Sequence, residues 1–229
     1  GFDKNYHNYP LSVVEGISIA GKGTDYGQIG DEEIVSTGKG RAYGLEFTGK
    51  LIDRNNLNST VTYTLFTSEF TDNEGTFRPS NWDTRHTLNL ISSYRFKDDW
   101  ILSGRWRFVG GAPYSPIDKE LSTDKAAWNI TNRAYIDYEN YNTLRLDNAH
   151  QLDLRIDKEF YFPKWMLNIY ADVQNAYNFQ SRNAPVYTNR DPQGNMMDDP
   201  ANPTEKQLIR EIESYTGTVL PTIGLMVKF

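Results

Sequence analysis

Cysteine is absent from the chain, which removes disulfide frameworks, thiolate zinc sites and thiol nucleophiles together. Long apolar runs are missing too; none approaches the roughly 20 residues that a membrane-spanning helix needs. Positive charge is not in excess. The 229 residues carry 24 Lys and Arg against 30 Asp and Glu, a net charge of −6, whereas nucleic-acid binding calls for a basic patch. Nucleic acid is therefore not expected as a partner. The opening Gly1-Phe2-Asp3-Lys4-Asn5-Tyr6 lacks the basic and apolar regions of a signal peptide. Polar–aromatic alternation is already under way there, so the chain is expected to begin inside a structural element.

Groupings that could carry catalysis are equally sparse. His7, His86 and His150 fall on different predicted elements, which argues against a metal triad; His86 and His150 sit near the loop ends of strands. Gly38-Lys39-Gly40 is followed by a strand pattern, whereas a phosphate cradle needs a helix N-terminus. Asp198-Asp199 and Asp72-Asn73-Glu74 offer oxygen ligands without the spacing of a calcium loop. Ser-based hydrolysis has no Gly-x-Ser-x-Gly to start from. The expectation is a protein that is not an enzyme, with no catalytic, cofactor-binding or metal-binding residues.

Aromatic residues are plentiful, at 14% of the chain with 15 Tyr and 5 Trp. Mean hydropathy is only −0.65, but a barrel strand needs just about 9–11 residues with every second one apolar, so barrels escape hydropathy averages. Alternation of period two recurs throughout, which is the signature of strands. Tyr43, Leu45, Phe47 and Leu51 oppose Gly44, Glu46, Thr48 and Lys50. Leu57, Val61, Tyr63 and Leu65 oppose Thr60, Thr62 and Thr64. Leu88, Leu90, Tyr94 and Phe96 alternate with Thr87, Asn89, Ser93 and Arg95, and Trp100, Leu102, Trp106 and Phe108 with Ser103, Arg105 and Arg107. Leu152, Leu154, Ile156 and Phe160 alternate with Asp153, Arg155 and Asp157. Leu167, Ile169, Ala171 and Val173 follow, against Asn168, Tyr170, Asp172 and Gln174. Ile223, Leu225, Val227 and Phe229 close the series, and a weaker candidate at 2–14 makes about eight strands.

The connections alternate in length. Tight turns are predicted near Asp53–Asn56, Lys97–Asp99 and Tyr161–Lys164, and long polar loops over 15–40, 71–81, 111–148 and 177–217. Loops this long are uncommon in compact domains, whereas outer-membrane barrels have short turns on the periplasmic side and long loops outside. Tyr94, Phe96, Trp100, Phe160, Tyr161, Phe162, Trp165 and Phe229 gather at the short-turn ends, as an interfacial girdle would. In the last loop Asn202-Pro203 precedes Thr204-Glu205-Lys206-Gln207, and acidic residues with a nearby proline predict a short helix over 204–213, with Leu208, Ile209 and Ile212 on one face. The polar faces carry Arg95, Arg105, Arg107, Asp153, Arg155, Asp157 and Asp172. These are the candidate lumen-facing residues, expected to form ion-pair ladders across the wall.

Six segments, in this order and spacing, resemble the C-terminal barrel strands of TonB-dependent outer-membrane receptors, especially the Bacteroidetes type. They are Gly-Arg-Ala-Tyr-Gly-Leu-Glu-Phe (40–47), Asn-Trp-Asp-Thr-Arg-His (81–86), Gly-Gly-Ala-Pro-Tyr (110–114), Gln-Leu-Asp-Leu-Arg-Ile-Asp-Lys (151–158), Leu-Asn-Ile-Tyr-Ala-Asp-Val-Gln-Asn (167–175) and Leu-Pro-Thr-Ile-Gly (220–224). The terminal Phe229, with apolar residues at alternate preceding positions, resembles the signal read by the barrel-assembly machinery. The resemblance implies an all-β, antiparallel transmembrane barrel of 22 strands with an N-terminal plug, located in the Gram-negative outer membrane with long loops outside. It also implies energised substrate uptake, in which TonB pulls on the plug. Residues 1–229 would supply about eight C-terminal strands, without plug or TonB-contacting segment. The implied partners are outer-membrane lipid, the remainder of the same receptor, the TonB complex through the plug, the assembly machinery, and a surface lipoprotein. The competing expectations are a small stand-alone outer-membrane barrel and a surface-adhesion protein without transport.

Overall fold

A computed structural model describes residues 1–21 and 32–229 of the chain. The alternating segments form one large antiparallel sheet. Its long strands are β1 (Phe2–Ser12), β2 (Ile34–Arg54), β3 (Leu57–Thr71), β4 (His86–Arg95), β5 (Trp100–Val109), β6 (Ala149–Phe162), β7 (Trp165–Gln174) and β8 (Leu220–Lys228). Each pairs with its neighbour in sequence, so the order across the sheet is β1 to β8 with no crossover. A short strand, Phe77–Pro79, pairs with the loop end of β3.

Local chemistry fixes the turns. Arg54 pairs with Leu57, and Asn55 and Asn56 between them take φ of 53° and 64°. Asparagine tolerates this left-handed backbone, which matches the twist of the flanking strands. Asp98 and Asp99 do the same between β4 and β5. Pro163 and Lys164 join β6 to β7, where Phe162 lies opposite Trp165.

Register then sorts side chains to two faces. Leu45 lies opposite Leu65, Phe47 opposite Tyr63, Leu90 opposite Trp106, and Ile169 opposite Leu225. Leu102 and Leu154 belong to the same face. The other face brings Thr62 to Asn89, Arg105 to Asp153, and Asp172 to both Arg155 and Thr222. Among the described residues no layer covers the apolar face: Leu45 is 66% exposed, Phe47 60% and Leu225 68%. The buried hydrophobic side chains among the described residues are Leu11, Ile17, Ile19, Trp128 and Tyr141, all at the end of the sheet where the long connections meet. The core thus lies in the loop layer.

The sheet is open. Among the described residues β1 and β8 each have a single neighbour, and residues 2–12 do not pair with 220–228. β1 reaches along β2 only as far as Gly44, opposite Phe2, so among the described residues the short-turn half of β2 has no partner on that edge.

Two expectations need correction. Residues 34–40 are strand: Ser12 pairs with Ile34 and Tyr6 with Gly40. Their polar and glycine-rich composition hides the alternation. The predicted helix at 204–213 does not form. Lys206 donates its amide to the Asn202 carbonyl for one turn, and the chain then extends. Lys206 bridges Asp124 and Gln207 bridges Asp198, while Arg210–Ile212 pairs with Val186–Thr188. Tertiary pairing there overrides a weak helical preference, and the β-branched Ile212 suits the strand. Helix forms instead in the 111–148 connection, as α1 (Lys119–Thr123) and α2 (Lys125–Thr131). Asp118 caps the first through the Leu121 amide and Asp124 the second through the Ala127 amide.

Candidate functional site

The polar face of the sheet gathers all seven charged residues singled out from the alternation. Arg105 lies directly opposite Asp153 and reaches its Oδ2 with Nη2 at 2.6 Å and Nε at 2.9 Å. One row outward, Arg107 donates to Gln151 Oε1 at 3.0 Å, and Gln151 donates to Asp153 Oδ1 at 2.6 Å. Asp153 also accepts the Asn175 amide at 3.0 Å, tying the ladder to the start of the last loop. Arg155 forks onto Asp157, with Nη2 to Oδ1 at 2.6 Å and Nε to Oδ2 at 2.9 Å. Its guanidinium stands 3.8 Å from the centre of the Tyr170 ring. Asn168 Nδ2 donates to Asp157 Oδ1 at 3.0 Å. Toward the short turns, Arg95 bonds Glu159 at 2.8 Å.

Asp172 stands apart. It is across from Arg155 in register, yet Arg155 is spent on Asp157, and Asp172 Oδ1 is buried with no hydrogen-bond partner. Asn168 Oδ1 shares that condition. The alternation carried one position further identifies Glu159, the partner that the sequence analysis missed; Gln151, Asn168 and Tyr170 complete the network. These are positioning contacts: Arg95, Arg105 and Arg155 each meet a carboxylate, and Arg107 meets the neutral Gln151. Among the described residues no group of His, Cys, Asp and Glu is arranged to hold a metal ion.

A second polar centre stitches the loops together. Asp83, 1% exposed, accepts the Ser68 amide at 3.0 Å and pairs with Arg145. Arg145 also donates to the carbonyls of Asp83 at 2.6 Å and Gly111 at 3.0 Å. Asn142 donates to Asn81 Oδ1 at 2.7 Å and to the Pro79 carbonyl at 2.8 Å. The Gly110-Gly111 pair has a steric reason. A Cβ on Gly110 would lie 2.1 Å from the Thr84 carbonyl oxygen, and one on Gly111 would lie 1.7 Å from that of Leu146. Tyr138 donates to Glu15 at 2.6 Å; burial above all, and then this bond, push its phenol well above the usual range. The Ala127 amide, and then Lys206 nearby, hold the Asp124 carboxyl below its ordinary value.

His86 and His150 lie on the apolar face near the loop end, each paired through Nδ1 with a tyrosine hydroxyl, Tyr63 at 2.8 Å and Tyr177 at 2.7 Å. His150 also packs 4.0 Å from the Phe179 ring. The short-turn end carries stacked Phe162 and Trp165 and the edge-on pair Tyr94 and Phe96. Lys158 bends back from the apolar face to the Asp98 carbonyl, its ammonium 5.6 Å from the centre of the Trp100 ring. Phe229 follows the last strand and is 96% exposed. No family model and no curated protein matches the chain.

Proposed function

We propose that this chain is part of the wall of an outer-membrane β-barrel of the TonB-dependent receptor kind, serving energised substrate uptake. The observation that carries the reading is the pairing of an uncovered apolar face with a charged opposite face on a single open sheet. In water such a face would be buried against a second layer. In a bilayer it meets lipid, and the charged face lines the interior. The apolar stretch of β2 from Tyr43 to Leu51 rises about 27 Å along the strand, close to the roughly 25 Å band of such barrels. Aromatic rings at the short-turn end, and Lys158 reaching out of the apolar face, suit the headgroup level.

In this reading the seven charged residues and Glu159 hold the wall and face its interior. The loop layer is extracellular. Further strands of the same receptor complete the wall at β1 and β8, because unpaired strand edges have no water to satisfy them in lipid. A stand-alone eight-stranded barrel would need residues 2–12 to pair with 220–228. A plug in the same receptor would couple to TonB, a surface lipoprotein would dock on the loops, and Phe229 would be read by the assembly machinery.

Fractionation of a Gram-negative host expressing the full-length protein tests this. The expected product is an outer-membrane protein whose gel mobility changes on heating, as folded barrels do. Deletion of Phe229 should lower the inserted amount while leaving the heat stability of the inserted fraction unchanged. Recovery of folded protein in a water-soluble fraction would contradict the reading.

A further inference from the structure

We propose that a pocket between the 111–148 and 177–217 connections binds a small ring-bearing monocarboxylate. Two short ladders build it. Ile117–Asp118 pairs with Tyr135–Ile136, and Val186–Thr188 with Arg210–Ile212. Ile117, Ile136 and Val186 supply an apolar wall, and Tyr114, Tyr187 and Arg133 supply the polar ends. The cavity is about 280 Å³, open on one side, at the lower edge of the roughly 300–1,000 Å³ typical of small-molecule sites.

Ser115 on the lining is tied to Asn142, which leaves Tyr114, Tyr187 and Arg133 as the polar side chains open to a ligand. Tyr135, Tyr138 and Tyr141, from the same connection, all direct their hydroxyls to protein acceptors: the Ala127 carbonyl, Glu15 and the Gly21 carbonyl. The side chains of Tyr114, Tyr187 and Arg133 make no hydrogen bond or ion pair with any described residue. Burial, followed by Glu211 and Tyr114 nearby, pushes the Tyr187 phenol upward, so it remains a donor. Arg133 is the single charge on the lining. A guanidinium fork matches a carboxylate bidentately. A dianionic phosphate would bring a second charge with nothing to meet it. Two tyrosine rings beside aliphatic walls favour a flat ring as the ligand's body.

The pocket exists irrespective of any membrane; its use in capturing cargo rests on the transport reading. Equilibrium dialysis of the full-length protein in lipid nanodiscs, against protein-free discs, would use naphthalene-2-carboxylate and its neutral carboxamide. The acid should bind saturably. The amide, and the acid with Arg133→Gln, should each bind about tenfold more weakly or worse, as loss of a charge-assisted hydrogen bond requires. Val186→Trp should fill the pocket and abolish binding. Both variants should keep the wild-type outer-membrane level. No saturable binding of the acid by the wild type, or equal affinity for acid, amide and Arg133→Gln, would overturn the pocket while insertion stood. Binding of the acid by a protein that never inserts would support the pocket and contradict the barrel reading.

Discussion

At the scale of single residues, burial decides which charges matter for stability. Arg105 sets two short donors on one oxygen of Asp153, but the Arg105 side chain is 45% exposed, and such pairs contribute at most about 1 kcal/mol. Asp83 is enclosed, and Arg145 is its closest cation. Arg145→Met leaves that carboxylate buried without its main partner, at a cost of about 3–5 kcal/mol. Hydrogen exchange should therefore rise sharply in 72–86 and 111–148 for Arg145→Met and hardly change for Arg105→Met; similar effects would contradict the ranking. Tyr138 gives a pH signature. Its phenol is raised in the folded state from an ordinary 10.0, so its contribution is fully present below that pH. The contribution is lost above it, where the unfolded phenol ionises and the folded one does not. An ultraviolet titration of wild type minus Tyr138→Phe should show no phenolate near pH 10 while the loops stay folded, whereas phenolate appearing there would contradict it. Seven of the charged residues were legible from alternation alone. Glu159 was equally legible, being the next position in the same series. The Asp83–Arg145 pair was not, because the two lie 62 residues apart in irregular connections whose meeting no local period encodes.

At the scale of elements, the strands and tight turns were written in the sequence because each depends on near neighbours: alternation for the faces, Asn55-Asn56 and Asp98-Asp99 for left-handed turns. The loop layer depends on distant contacts and was read poorly. Gln207, placed in a predicted helix, is instead buried between the Asn189 side chain and the Ser122 carbonyl. The helices at 119–131 did have a local signal, aspartate three residues before an amide that it caps, at Asp118 and again at Asp124. The glycines permit a test of the loop's close packing. A Cβ at Gly111 collides with the Leu146 carbonyl, whereas one at Gly104 meets Leu154 at an ordinary 3.5 Å. Gly111→Ala should part the Pro113–Tyr114 and Leu144–Arg145 ladder at a cost of about 1–3 kcal/mol and open 111–148 to protease. Gly104→Ala should be silent. Protease resistance retained by Gly111→Ala would show that this approach is looser than described.

At the scale of the whole molecule, one face of the sheet carries uncovered apolar side chains, and the buried hydrophobic residues are concentrated among the connections at one end. That distribution is the basis for the proposal that the sheet is membrane wall and the connections an external layer. The gathering of the long connections at one end was legible from their alternating lengths. The open edges show that eight strands in this order do not close on themselves. The most direct measurement is spin-label accessibility in the full-length protein reconstituted in lipid, with single cysteines introduced into this chain, which contributes no thiol of its own. Labels at Leu45, Phe47, Leu102, Ile169 and Leu225 should be quenched by oxygen, which concentrates in lipid. Labels at Thr62, Arg105, Asp153 and Asp172 should be quenched by a water-soluble metal chelate. Chelate access on both faces, or a reversed pattern, would contradict the account.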